Sequence, residues 1–128
     1  MGIFVHILSS RDFKMPFINT KVSVTITPEQ ETMLKTQLGK AISVIRGKSE
    51  NWLMLNFEDN CRMYFQGDNS KSTAFVEVKI YGSATPREYS QLTELITEIL
   101  GKVLGIAPNR IYVKYEVVEY WGYNGYNF

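Results

Sequence analysis

The chain carries one pattern twice, 58 residues apart. FINTKV at 17–22 returns as FVEVKI at 75–80, Pro28 as Pro86, Gly47 as Gly105, and LMLNF at 53–57 as IYVKY at 111–115. A register held over that many features marks two equivalent supersecondary units, and two copies are too few for a solenoid. Each unit reads strand, helix, strand. Ile18, Thr20, Val22 and Val24 alternate with more polar neighbours at the strand period, as do Val76, Val78 and Ile80. TPEQ (27–30) and TPRE (85–88) each set Thr at an N-cap, Pro at the first helical position and an acid or amide in the first turn. Leu34, Leu38, Ala41, Ile42 and Ile45 follow at helical spacing, and Leu92, Ile96, Ile99, Leu100 and Val103 fill the same places one repeat later, so both stripes read as core faces. Gly47 and Gly105 then read as helix stops in the left-handed conformation.

A strand, one helix and a second strand require a parallel pair with a right-handed crossover. The expected fold class is therefore α+β: two pseudo-repeated β-α-β units forming a four-stranded mixed sheet with two helices on one face. Alternation places Phe17, Asn19, Lys21, Met54, Asn56, Phe75, Lys79, Tyr81, Tyr112 and Lys114 on the other face. Parallel pairs are normally covered on both faces, and an aromatic-rich face is costly in water. Further copies of the chain are expected to cover it, making a homo-oligomer.

Composition narrows the chemistry. The 128 residues, 45% hydrophobic and 21% charged, suffice for one compact domain. A net charge of +1 with both signs interspersed gives no footprint for nucleic acid or an anionic membrane, so neither is expected as a partner. No apolar run approaches the roughly 20 residues of a membrane span. Cys61 is the only cysteine, which leaves no internal disulfide and favours a reducing cytoplasmic location, with non-classical secretion as the other route. His6, the only histidine, lies in an opening stretch that stands outside the repeat. The GIFVHIL run there lacks the basic segment and cleavage site of a signal peptide. The repeated domain thus has no imidazole for a nucleophile system or a metal, and no GxGxxG or P-loop for a phosphate. No cofactor is expected. Carboxylates, lysines, tyrosines and an N-terminal amine remain.

That amine is supplied by FKMPFINTK (13–21), where Pro16 follows Met15. Proline behind an initiator methionine is a residue that methionine aminopeptidase exposes, so translation from Met15 would give Pro16 a free secondary amine. An α-amino group titrates near 8 in the open, and burial or a neighbouring cation moves it down toward neutrality, where it serves proton transfer. The chain accordingly divides into residues 1–15, an extension upstream of the functional start, and residues 16–128, the folded domain.

From Pro16 to Phe128 the chain resembles the macrophage migration inhibitory factor family of the tautomerase superfamily, which also includes 4-oxalocrotonate tautomerase. The resemblance is carried by the Met-Pro start, Gly47-Lys48, Met63-x-Phe65-x-Gly67, the ending GYNGYNF, and PNRIYVKY (108–115), which is similar to the family's P-D-R-V-Y-I-x-Y strand. It implies a homotrimer whose sheets enclose a central channel, sites at the subunit boundaries, and keto–enol tautomerisation of phenylpyruvate-like 2-oxo acids. On matching positions, Pro16 would be the catalytic base. Lys48 would bind the substrate carboxylate and depress the amine's pKa. Tyr112 would line the pocket from a neighbouring subunit and polarise the substrate oxygen, while Tyr81, Tyr123 and Phe128, with Trp121 as a further candidate, would wall it. Read without the family, these residues are a strand-start proline, a solvated lysine near a helix C-terminus, a buried sheet tyrosine and the packing of a C-terminal hairpin.

The departures are specific. Lys114 stands where the family commonly has asparagine, adding a second positive charge beside the site. Tyr81 replaces a smaller aliphatic residue and Tyr123 a tryptophan. The Cys-x-x-Cys of some members reads Ala74, Phe75, Val76, Glu77, which gives thiol-disulfide chemistry no support. Two rival readings stand beside the tautomerase: a catalytically silent trimer serving as a binding or cytokine-type signalling module with an unknown receptor, and hydrolytic dehalogenation or decarboxylation. The last needs paired arginines that Arg46, Arg62, Arg87 and Arg110 do not obviously form.

Overall fold

In the computed structural model, which describes residues 15–128, β1 (Pro16–Val22) and β3 (Ala74–Tyr81) run antiparallel at the centre of a sheet, with Ile18 opposite Val78 and Thr20 opposite Val76. The readings of His6 and of GIFVHIL lie outside the described residues. β2 (Met54–Glu58) joins β1 in parallel and β4 (Ile111–Val118) joins β3 in parallel, giving the order β2-β1-β3-β4. The crossovers are α1 (Pro28–Ala41) and α2 (Pro86–Leu104). This is the expected mixed sheet built from two parallel pairs joined along their first strands.

Strand alternation decides where the helices pack. Ile18 and Val22 of β1, and Val76, Val78 and Ile80 of β3, are buried against Leu34, Leu38 and Ile42 from the first half and Leu92, Ile96 and Leu100 from the second. Each such side chain contributes about 1.5–3 kcal/mol when fully buried. A one-residue slip would carry the whole set to the opposite face, so this burial also fixes the register. No helix among the described residues is long and apolar enough to cross a membrane.

Both helices open with the same reciprocal cap. The Thr27 hydroxyl accepts from the Gln30 N–H at 3.1 Å while the Gln30 side chain accepts from the Thr27 N–H at 2.9 Å. Thr85 and Glu88 repeat the arrangement at 3.1 and 2.8 Å. α2 also ends as its sequence predicts: Gly105 lies at φ 71° and its N–H donates to the Gly101 carbonyl at 3.0 Å. α1 does not. It stops at Ala41, passes through a 3-10 turn over Ile42–Val44, and Ile45 is extended. The Ile42 N–H is shared between the Leu38 and Lys40 carbonyls, and the Ser43 hydroxyl donates to the Lys40 carbonyl at 2.7 Å, so local bonds tighten the last turn before a glycine is needed. Gly47, at φ 82°, therefore shapes a later turn rather than stopping the helix. Ile45 reaches the core all the same, through non-helical backbone.

The open face differs in character from the expectation. Its middle is a polar network, not an aromatic surface. The Asn19 amide donates to Glu58 at 3.0 Å and Glu77 at 3.3 Å, Asn56 donates to Asn19 at 2.8 Å, and Lys21 pairs with Glu77 at 3.4 Å. Partial burial raises the Glu77 pKa, but the bonds from Asn19 and Lys21 outweigh it and leave the carboxyl below its usual range. The aromatics gather at the two ends instead: Phe75 with Tyr112 at one, Tyr81 with Phe128 at the other.

Candidate functional site

Pro16 heads β1, buried, with Ile80 as its cross-strand partner. The carbonyl of Met15 accepts a hydrogen bond from the Tyr81 N–H at 3.0 Å, which anchors the strand from its first residue. While Met15 is attached, the Pro16 nitrogen is a tertiary amide and has no basic lone pair.

Pro16 opens onto a cleft of about 470 Å³ whose other walls include Asn51, Trp52, Met54, Trp121 and Tyr123. Three pieces of chain converge to make it. β1 supplies Pro16; the 3-10 turn Glu50–Trp52 leads directly into β2, whose Met54 lies opposite Phe17; and the C-terminal tail folds back over both. The tail holds its shape as a hairpin of β5 (Gly122–Tyr123) and β6 (Tyr126–Asn127). Asn124 and Gly125 at its tip both have positive φ, 54° and 83°, which is the turn an Asn-Gly pair favours. The Phe128 N–H closes the loop on the Trp121 carbonyl at 3.0 Å. Trp52 then meets Tyr123 edge to face at 5.3 Å, while Phe128 lies 5.9 Å from Tyr81 and 6.4 Å from Tyr123. Of the candidates from sequence, Pro16, Tyr81, Trp121, Tyr123 and Phe128 thus share one end of the sheet.

Lys48 is not among the residues lining that cleft, but it lies on the connection that delivers the chain to β2. Its side chain is enclosed, with 4% of the residue exposed. The solvated lysine that its place near a helix end suggests is therefore not what the fold builds. One repeat later the corresponding position is Ile106, 1% exposed. The second half fills this place with an apolar side chain and the first half fills it with a cation, at the desolvation cost that a buried ammonium carries.

Tyr112 and Lys114 lie elsewhere. Both belong to β4, an outer strand, and Tyr112 is opposite Phe75, itself opposite Lys21 near the far end of β1. Strand spacings put Tyr112 about 20 Å from Pro16 within one chain. Its ring is held edge to face by Phe65 at 5.2 Å and Phe75 at 6.3 Å, beside a second cavity of about 320 Å³. Lys114 pairs with Glu116 at 3.0 Å, and that hydrogen bond and charge raise its pKa above the ordinary lysine value. A single chain does not bring either residue to Pro16.

Trp52 was not singled out by sequence reasoning. A signal for it exists in the repeat: the 3-10 turns Glu50–Trp52 and Pro108–Arg110 stand at equivalent places, so Trp52 corresponds to Arg110. Among the described residues no group of histidine, cysteine and carboxylate side chains could hold a metal.

Over residues 15–128 the chain matches the family described as macrophage migration inhibitory factor. Among solved structures it is similar to MIF2 of Leishmania major, with 33% identity, a TM-score of 0.82, and 89% of this chain and 97% of that one covered. A macrophage migration inhibitory factor homologue from Prochlorococcus marinus is 31% identical, with a TM-score of 0.79 and coverage of 88% and 98%. At 18% identity the fold alone is shared with a fused 4-OT described as a symmetric trimer, with a TM-score of 0.76 and coverage of 86% and 94%. No curated protein sequence matches the chain.

Proposed function

The chain belongs to the macrophage migration inhibitory factor family, and from that premise we propose that, once it begins at Pro16, it is a homotrimeric keto–enol tautomerase of phenylpyruvate-like 2-oxo acids with the Pro16 amine as general base. The observation that carries the reading is the position of Pro16: buried at the head of β1, yet opening onto a cleft walled by Trp52, Trp121 and Tyr123. Aromatic walls suit an aryl substituent, and the apolar surroundings disfavour the charged form of an amine placed there.

The chemistry follows from these groups. The neutral amine takes the proton from the carbon beside the carbonyl, the C–H electron pair becomes the new C=C bond, and the carbonyl π pair moves onto oxygen. The Pro16 ammonium gives that same proton to the oxygen, which becomes the enol hydroxyl, and the neutral amine is restored for the next turnover. Lys48, on the connection that leads into β2, is assigned to the substrate carboxylate, as the family resemblance implies. Tyr112 is assigned to the substrate oxygen from a neighbouring subunit, because its own Pro16 is about 20 Å away. Among the described residues β4 is an outer strand of the sheet, so its edge and the polar open face offer surfaces to that neighbour. Removing Met15 sacrifices the Tyr81 N–H bond to its carbonyl, worth about 1 kcal/mol.

In the chain beginning at residue 16, Pro16→Gly should cut kcat/KM for phenylpyruvate by about 10² or more, the usual contribution of a general base, with the circular dichroism spectrum unchanged. Full retention of activity overturns the reading. A chain that keeps residues 1–15 has an amide at Pro16, and the silent binding module is then the reading that applies.

A further inference from the structure

Arg110 is 6% exposed, and its charge is met almost entirely by neutral oxygens. Its Nε donates to the Thr73 hydroxyl at 3.1 Å; Nη2 donates to the same hydroxyl at 2.7 Å and to the carbonyls of Asp68 at 2.9 Å and Lys71 at 3.2 Å; Nη1 donates to the Phe65 carbonyl at 3.1 Å. The Asp68 carboxylate stands off at 3.9 Å. Burying a guanidinium is costly, and the fork is used here to gather one stretch of chain, the long connection 59–73 between β2 and β3.

That connection is independently stiffened. Phe65 and Asp68 exchange N–H to carbonyl bonds, both at 3.0 Å, around Gln66 and Gly67, whose φ values of 55° and 74° make a tight turn. The Ser70 N–H donates to the Asp68 carboxylate at 3.0 Å. The product of all this is the placement of one ring. The guanidinium lies over the Phe65 ring at 5.2 Å, and the same ring meets Tyr112 edge to face at 5.2 Å and 89°. Tyr112 is 57% exposed on the outer strand, and none of the hydrogen bonds found among the described residues engages its hydroxyl. Its ring is gripped by Phe65 and Phe75 while the polar tip is left to reach outward.

We infer that Arg110 is a positioning residue: by tying the 59–73 connection to the start of β4 it sets Phe65 against Tyr112, and so fixes the reach of the Tyr112 hydroxyl into the neighbouring subunit's site. The inference deepens the tautomerase reading and rests on it. It makes the 59–73 connection a working part of the site, although it lies at the opposite end of the chain's own sheet from Pro16.

The test is a double-mutant cycle on the processed protein. In Arg110→Lys, the ammonium cannot reproduce the planar fork to Thr73 and to three separate carbonyls. It should lower kcat/KM for phenylpyruvate about tenfold in the wild-type background and less than about twofold in the Tyr112→Phe background, because the contact through which it acts is already gone. Phe65→Leu keeps every Arg110 hydrogen bond, since the one to Phe65 goes to its carbonyl. It should reproduce the loss at nearly unchanged Tm. Losses that multiply fully in the Tyr112→Phe background, or a Phe65→Leu variant as active as wild type, overturn the inference alone. A wild-type protein inactive toward phenylpyruvate overturns the tautomerase reading and this inference with it.

Discussion

The two halves of the molecule share a plan and differ in what they put at its variable places. Both have a capping box, an apolar helix face, a 3-10 turn and a closing strand at the same offset. In the first half the helix ends early, Lys48 is buried where the second half buries Ile106, and the 3-10 turn ends in Trp52 where the second ends in Arg110. The second half keeps the longer helix with its glycine stop, then adds the aromatic tail that folds over Pro16. What the halves hold in common builds the core. Of what they do not hold in common, Trp52 and the aromatic tail line the Pro16 cleft, whereas Lys48 lies on the connection into β2 and Arg110 lies at the other end of the sheet.

Exchanging equivalent residues between the two halves should have the largest effect. Ile106→Lys places an ammonium in the hydrophobic core cluster to which Ile106 belongs, and should cost several kcal/mol, enough to lower Tm steeply or prevent folding. Lys48→Met should leave a folded protein whose KM for phenylpyruvate rises about tenfold or more, the worth of a charge-assisted bond to a carboxylate. Equal loss of stability in both variants would mean that Lys48 is structural. Next in size is Gly105→Ala: apart from the adjoining chain, nothing lies within 4 Å of the added Cβ, so the loss of about 1–2 kcal/mol comes from the left-handed backbone alone, read as a lower urea midpoint.

The smallest effect separates the caps. Hydrogen bonds from the Thr85 N–H and the Arg46 N–H, the latter at 2.8 Å, hold the Glu88 carboxyl below the ordinary glutamate range, whereas Gln30 in the first half does not titrate. A depressed carboxyl stabilises fully above its unfolded pKa of about 4.5, and that stability is lost as pH falls through the lower folded value. Glu88→Gln should therefore flatten the fall of Tm with acid below about pH 4.5, while Gln30→Glu should steepen it. Parallel Tm profiles for wild type and Glu88→Gln would show that the cap does not sense pH.

Local chemistry explains what the sequence made legible. Thr27, Pro28 and Gln30, or Thr85, Pro86 and Glu88, form their caps within one turn of helix, and the apolar stripes have one face on which to lie. The early end of α1 was hidden because it depends on the Ser43 hydroxyl competing for the Lys40 carbonyl rather than on Gly47. The composition of the open face was legible from strand alternation, but its character was not: Asn19 becomes the centre of a network only when Glu58 and Glu77 arrive on either side from distant strands. Likewise Pro16 and the tail aromatics could be named in advance, whereas the enclosure of Lys48 and the role of Trp52 depend on how the connection into β2 turns across the end of the sheet.

A free Pro16 amine is what separates an active from a silent protein. Phenylpyruvate tautomerisation should therefore be compared between the chain beginning at Pro16 and the same chain with residues 1–15 retained. Turnover is expected in the first and about 10²-fold or greater loss in the second, since an amide nitrogen cannot act as the base. Equal activity in the two would contradict it and move the base to another residue of the cleft.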